Sequence, residues 1–350
     1  MTVYKNEKTG KWFCIYRMKD ASGKSKQIKK SGFLLKRDAE AYEHDQLANA
    51  AFQPDMTFSE FVKLYKKDVD PHLREHTIQT KDFRIKKHLI PFFGGMNLKD
   101  IDAKRVIAWQ NDLIQQGLNI SYMKALQETL SSIFNHAVKL YGLKANPCSL
   151  AGPPRSANEE KKHMRFWTLK EYTKVIAEVS DIKAKTAIAL LYWSGMRKGE
   201  LLALTWEKLD FKEGTVTIDR SYQRLKGRDV ITPTKTGERR CIMLPRHMIE
   251  LLQEYKAHCF DTSPQAPVFL WEKRFIEKGI AEGCRASGVK RIHVHGLRHS
   301  HASLLIQEGV NIVLISKRLG HAKVSMTLDT YSHFYPTEEQ EVMNKLNGLG

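Results

Sequence analysis

Residues 146 to 163 read NPCSLAGPPRSANEEKKH, and the hydrophobic pattern differs on the two sides of this stretch. A segment rich in Pro, Ser and Gly interrupts any periodic element, so it marks a linker and the main domain boundary. Upstream, from about Thr57 to Cys148, apolar residues recur at helical spacing in TFSEFVKLYKKDV, TIQTKDFRIKKHLIPFFG, KDIDAKRVIAWQNDLIQQG and ISYMKALQETLSSIFNHAVKLYG. Thr57, Thr77, Asp102 and Ser121 are the expected N-caps, and Pro91 with Gly94 and Gly95 is expected to break the second helix from the third. Downstream the pattern is mixed, with helices around short strands at GTVTID and DVITPTKTGERRCIMLP. A chain of 350 residues is long for one compact domain, so two or three folding units are expected.

A third region precedes the helical one. In KWFCIYRMKD, Trp12, Cys14 and Tyr16 alternate against Phe13, Ile15 and Arg17; DASG makes a turn and KSKQIKKSGF a returning strand. SGFLLKRDAEAYEHDQLANAAF then carries Leu35, Ala39 and Tyr42 at helical spacing, giving a three-stranded sheet with one packed helix. Residues 1 to 37 hold eleven Lys or Arg and two acids, half of the chain's net charge of +18. Such a balance points to a polyanionic partner, and a basic sheet can lie in a DNA groove. Lys11, Arg17, Lys19, Lys24, Lys26, Lys29 and Lys30 are the candidate DNA-binding residues, the alternative being a solvated basic surface.

The N-terminus MTVYKNEKTGK is too polar for a signal peptide, and no apolar run reaches membrane-spanning length. The expected location is the cytoplasm. Cys14, Cys148, Cys241, Cys259 and Cys284 are scattered and never spaced C-x-x-C, which argues against a disulfide framework or a cysteine zinc site and for reduced thiols.

Chemistry concentrates in the last region. SGMRKGEL sets Arg197 just after a buried-looking helix, with Glu200 three residues on and on the same face if the helix continues. A guanidinium fork fits phosphate oxygens and a carboxylate can orient it; standing alone, the pair would read as a surface ion pair. TPTKTGERR places Lys235 in a turn between a strand ending near Ile231 and one beginning near Arg240, where it could donate a proton or simply be solvated. HVHGLRHSHASLL sets four of the fourteen histidines within nine positions, with His295 and Arg298 one helical turn apart. LGH brings His321, and LDTYSH brings Tyr331 ten residues later. Two arginines, two histidines, a lysine and a tyrosine suit metal-free attack on a phosphodiester. A phenol with a pKa near 10 needs positive charge and a proton acceptor to become a nucleophile, and arginines stabilise the equatorial oxygens of the transition state.

In this order and at these separations the set resembles the tyrosine recombinase family, and within it the integrases of temperate bacteriophages and conjugative transposons. The resemblance extends to HLIPFFGGMNLKDID and IFNHAVKLYGLKANP, similar to a core-binding bundle, and more loosely to the N-terminal sheet, similar to an arm-type DNA-binding domain. It implies a multidomain, mainly α fold with small β elements: 1–55 arm-type domain, 56–150 helical core-binding domain, 151–163 linker, and 164–350 mixed α/β catalytic domain with a C-terminal helix. It implies a site-specific integrase that integrates and excises a mobile element through a 3′-phosphotyrosyl intermediate, needing neither ATP nor metal. Tyr331 would attack, Arg197 and Arg298 bind the phosphate, Lys235 protonate the 5′-oxygen, His295 serve as acid/base partner of Tyr331, and His321 donate to the phosphate, with Glu200 in support. The implied partners are core-type and arm-type double-stranded DNA sites, a homotetramer on DNA, a host DNA-bending protein and an excision factor, on the nucleoid of a bacterial host.

Tyr335 is the rival nucleophile, and the spacing from LGH favours Tyr331. His293, His299, His301 and His333 match no catalytic position and read as packing, surface or DNA-proximal residues; Trp193, Trp206 and Trp271 read as core. A metal hydrolase could use His295 and His299 at i,i+4, but no HExxH and no acidic cluster completes a site. A non-catalytic DNA-binding regulator explains the charge but not the ordered set. A type IB topoisomerase-like activity shares the tyrosine chemistry, and the N-terminal domain argues against it. The tail PTEEQEVMNKLNGLG reads as an amphipathic helix with Val342, Met343 and Leu346 on one side, docking on a neighbouring protomer or capping its own chain.

Overall fold

The computed structural model describes residues 3–7, 9–19, 25–51, 56–155, 164–235, 237–270, 272, 274–332 and 347; the side chains of 17–19, 25–26 and 44–51 lie outside that description. The chain divides into two compact units, 1–161 and 162–350.

The first unit opens with an antiparallel sheet of β1 (Val3–Lys5), β2 (Trp12–Lys19) and β3 (Ser25–Phe33) in that order. Strand alternation turns Cys14 and Tyr16 inward, where they are buried along with Ala39 of α1 (Lys36–Ala51). Leu35, expected on the apolar side of that helix, lies in the bend before it and is exposed. Lys11, Lys29 and Lys30 are exposed, Lys29 Nζ lying 4.3 Å from the Phe13 ring centre. The Arg17, Lys19 and Lys26 side chains, and Lys24 altogether, fall outside the described residues.

Helices then take over. At the start of α2 (Phe58–Val69), Thr57 and Glu60 bond reciprocally in a capping box. The helix α3 (Glu75–Arg84) begins two residues ahead of Thr77: Arg74 is its N-cap, and Glu75 complements the positive end of the helix dipole. Pro91 does not break the helix. A π-helical turn at Ile85–Leu89 widens the ladder, with Ile90 N–H bonding to the Ile85 carbonyl. Pro91 then enters the first turn of α4 (Ile90–Phe93), where a missing N–H costs little. Asp102 caps α5 (Ala103–Gln115) as expected. Asn119 rather than Ser121 caps α6 (Ile120–Tyr141), its amide oxygen accepting from Ser121 N–H. Part of the expected linker is helical: Asn146 caps α7 (Pro147–Ala151), and Cys148 is buried in a core that includes Phe58, Phe93, Trp109 and Phe134.

The second unit begins with α8 (Leu169–Ala177) and α9 (Ile182–Ser194), the latter buried nearly all round and packed by α11, α12 and α13. After it come α10 (Lys198–Leu202), β4 (Leu209–Asp210), β5 (Thr215–Ile218), β6 (Arg220–Leu225), β7 (Arg228–Pro233) and β8 (Arg240–Met243). The helices α11 (Arg246–Ala257), α12 (Phe275–Ser287), α13 (Val294–Gln307), α14 (Ile312–Leu319) and α15 (Val324–Tyr331) complete it. The strands flanking Lys235 are not partners of each other: β7 pairs with β6 in a two-stranded ribbon, while β8 joins β5 and β4. Trp206 is buried, Trp193 packs on Tyr172, Tyr192 and His247, and Trp271 falls outside the described residues. So do His333, Tyr335 and the expected tail helix with Val342, Met343 and Leu346. Among the described residues no helix is long and apolar enough to cross a membrane, and all five cysteines are free.

Candidate active site

The helix α9 stops at Gly195, whose φ of +67° is the left-handed conformation that glycine adopts without strain. A Cβ there would stand 2.6 Å from the His301 ring, so packing also demands glycine. Two residues on, Arg197 is the N-cap of α10 rather than a residue within a continuing helix. Its N–H donates to Glu200 Oε2 at 2.8 Å and its Nη1 to Oε1 at 3.0 Å. The Glu200 side chain is 1% exposed and also receives both terminal nitrogens of Arg240. Burial pushes this carboxyl up, but Arg240 and Arg197 outweigh it and hold the pKa below the ordinary value. The pair is therefore a buried two-arginine network, not a surface contact. Arg197 Nη2 also donates to the Gly320 carbonyl, 3.3 Å away, bringing the turn before His321 to the same place.

Arg298 projects from the first turns of α13 and is 3% exposed. Its Nη1 donates to the Gly195 carbonyl at 2.8 Å; its Nη2 is buried and has no acceptor among the described residues. Burial and Arg197 lower its pKa to about 9, so it stays charged at neutral pH. His295 is exposed as a residue, yet desolvation, Arg298 and Arg197 lower its pKa. His321 bonds through Nδ1 to Thr327 Oγ1 at 2.7 Å, and burial together with the arginines lowers it to about 4. Both histidines are thus neutral near pH 7.

Tyr331, last residue of α15, is 1% exposed and packs with Ala302, Ile306, Ile315 and Leu319. Its hydroxyl meets His299 Nδ1 at 2.7 Å. Burial raises the phenol to about 12, and burial with His295 and Arg298 lowers His299 to about 4, so a neutral phenol and a neutral imidazole share this hydrogen bond. His299, read from sequence as incidental, is the residue that touches the tyrosine oxygen, and the His295 ring reaches it edge-on, centroids 4.9 Å apart. The i,i+4 spacing from His295 was the available signal. His301 is structural too: buried, lowered to about 3 by desolvation and Arg318, it accepts from Arg318 Nε at 3.0 Å. Lys235 stands apart from this group. It is exposed in a turn closed by Gly237 N–H to the Thr234 carbonyl, and it bonds none of the other candidates among the described residues. No group of three or more potential metal ligands occurs among them either.

Comparison with known proteins bears on this arrangement. Residues 165–338 match the profile of the phage integrase family, residues 57–114 that of a phage integrase N-terminal SAM-like domain, and residues 2–50 that of an arm DNA-binding domain. The chain is 27% identical over 314 residues to the ICEBs1 integrase of Bacillus subtilis, covering 84% of this chain and 83% of that protein. A XerC-like tyrosine recombinase of Caldanaerobacter subterraneus is 27% identical over 73% of each chain. Among solved structures, the Tn1549 transposon integrase in complex with a circular intermediate DNA superposes with a TM-score of 0.70 at 16% identity, over 83% of this chain and 99% of that one. A lambda integrase tetramer bound to a Holliday junction gives 0.60 at 18% identity over 96% and 95%.

Proposed function

This chain belongs to the phage integrase family of tyrosine-type site-specific recombinases, and from that premise we propose how its residues carry out strand exchange for a mobile element. The observation that carries the reading is Arg298: a guanidinium is buried at the cost of its hydration, with one nitrogen left for an acceptor that the protein does not supply among the described residues. A scissile phosphate is the acceptor that fits, held by Arg298 and Arg197 together. Tyr331 attacks the phosphorus; the Oη–H proton passes to His299, with His295 beside it. The P–O5′ bond breaks, and Lys235, swinging in on its exposed turn, protonates the leaving oxygen. In the tautomer in which His321 Nδ1 accepts from Thr327 Oγ1, Nε2 carries the proton and donates it to a phosphate oxygen. The phosphotyrosyl bond conserves the energy of the broken one, so rejoining needs no ATP and the pathway uses no metal.

The same reading divides the chain into an arm-site module at 1–55, a core-site module at 56–150, a linker at 151–163 and the catalytic module at 164–350. It takes double-stranded attachment sites of both types as the partner, four protomers as the working unit, and a DNA-bending protein and an excision factor as accessories, on the bacterial nucleoid. The dimers and tetramers of lambda integrase on DNA support the assembly. The arm-like profile at 2–50 favours recombination over topoisomerase-like resealing.

The test uses purified protein and a nicked duplex carrying the element's junction sequence, in EDTA. An SDS-resistant covalent adduct is expected, abolished in Tyr331→Phe. An adduct that persists in that variant refutes the assignment.

A further inference from the structure

Two arginines that the proposed chemistry does not use hold the frame around it. Arg240, the first residue of β8, donates through Nε to the Arg318 carbonyl at 3.0 Å while its terminal nitrogens hold Glu200. Arg318, near the end of α14, answers across the same seam: its Nη2 reaches the Met243 carbonyl at the far end of β8 and the Trp193 carbonyl near the end of α9, both at 3.0 Å. Each arginine therefore binds the main chain of the element that carries the other. The Trp193 and Arg318 carbonyls lie in last helical turns, where acceptors lack intrahelical donors and carry the negative end of the dipole. Directly beyond those turns stand Arg197 and His321. A Cβ on Gly320, between Arg318 and His321, would lie 2.8 Å from Arg240 Nη1, so that turn is built to admit the guanidinium.

We propose that Arg240 and Arg318 form a reciprocal clasp that fixes where Arg197 and His321 stand, both acting as positioning residues that touch no substrate. Its consequence for catalysis rests on the recombinase reading; its geometry does not. Full-length Arg240→Met, Arg318→Met and the double variant are compared in single-turnover cleavage of the nicked duplex and in binding to the same DNA. Each single change is expected to slow cleavage about 100-fold, the effect of a misplacement near 1 Å, with binding little changed. The double variant is expected to lose no more than the worse single one, because one clasp is broken once. Arg318→Met is also expected to raise the His321 pKa toward the ordinary histidine value in an NMR titration, although Arg318 is not among the charges that depress it. Wild-type cleavage with an unmoved His321 titration in Arg318→Met overturns the clasp, as do additive losses in the double variant. Should the methionine variants not fold, Arg240→Lys and Arg318→Lys, which keep charge but not the fork, carry the same comparisons. A wild-type protein that forms no adduct refutes the recombinase reading, and the His321 titration still decides the clasp.

Discussion

Glu200 shows what a buried carboxylate needs in order to stay ionised: the Arg240 fork, Arg197 Nη1 and the Arg197 backbone N–H all converge on its two oxygens. Removing it leaves both arginines short of a counter-charge, so Glu200→Ala is expected to cost about 3–5 kcal/mol in urea denaturation, and Glu200→Gln less, because an amide oxygen still accepts. The histidines set a second dependence. His299, His301 and His321 are held near 4, 3 and 4 in the fold, below the unfolded value of about 6.5, so the unfolded chain binds more protons as pH falls. Their contribution is complete above about pH 6.5 and declines toward pH 4. The urea midpoint should fall clearly between pH 7 and pH 5; a flat profile would contradict the buried neutral histidines. The residues whose type announces phosphoryl chemistry were legible in sequence. Arg240 and Arg318 were not, because their partners lie 40 and 75 residues away and no spacing encodes such pairings. His299 lay between: its face could be read, but not that Tyr331 would reach it.

At the level of elements, hydrophobic period placed the main helices between Thr57 and Tyr141, and errors gathered where a local signal had two readings. Asn119 and Ser121 can both cap, and the chain uses the one whose oxygen reaches a free N–H. Pro91 signals a break unless a π turn makes room upstream, which only the backbone reveals. The stretch around Lys235 has the look of a hairpin, yet pairing is decided by which neighbouring strand each edge meets, and β7 and β8 meet different ones. The turn from α9 to Arg197 depends on one residue. Gly195→Ala forces a left-handed backbone on a Cβ that also collides with His301. It is expected to destabilise the second unit by about 2 kcal/mol or more, measured by thermal or urea unfolding.

Across the whole molecule charge divides the labour. The first 37 residues carry half of the net charge, so neutralising Lys11, Lys29 and Lys30 together should weaken arm-site binding while sparing cleavage of a minimal core site. The logarithmic salt dependence of arm binding should become shallower by about 0.9 for each phosphate that a lysine no longer neutralises. Equal loss of both activities would count against two separate DNA-reading modules. The placement of Tyr331 bears on how such a protein behaves between encounters. In the role proposed for it, Tyr331 is a nucleophile packed among aliphatic side chains with its hydroxyl bonded to His299, and so shielded from stray electrophiles and from casual contact with any duplex that the basic surface attracts. On that proposal, reaction is expected to begin with a local opening that frees Tyr331, and a DNA that dissociates before that opening would leave no scar on either molecule: promiscuous attraction and rare commitment would be separated in time.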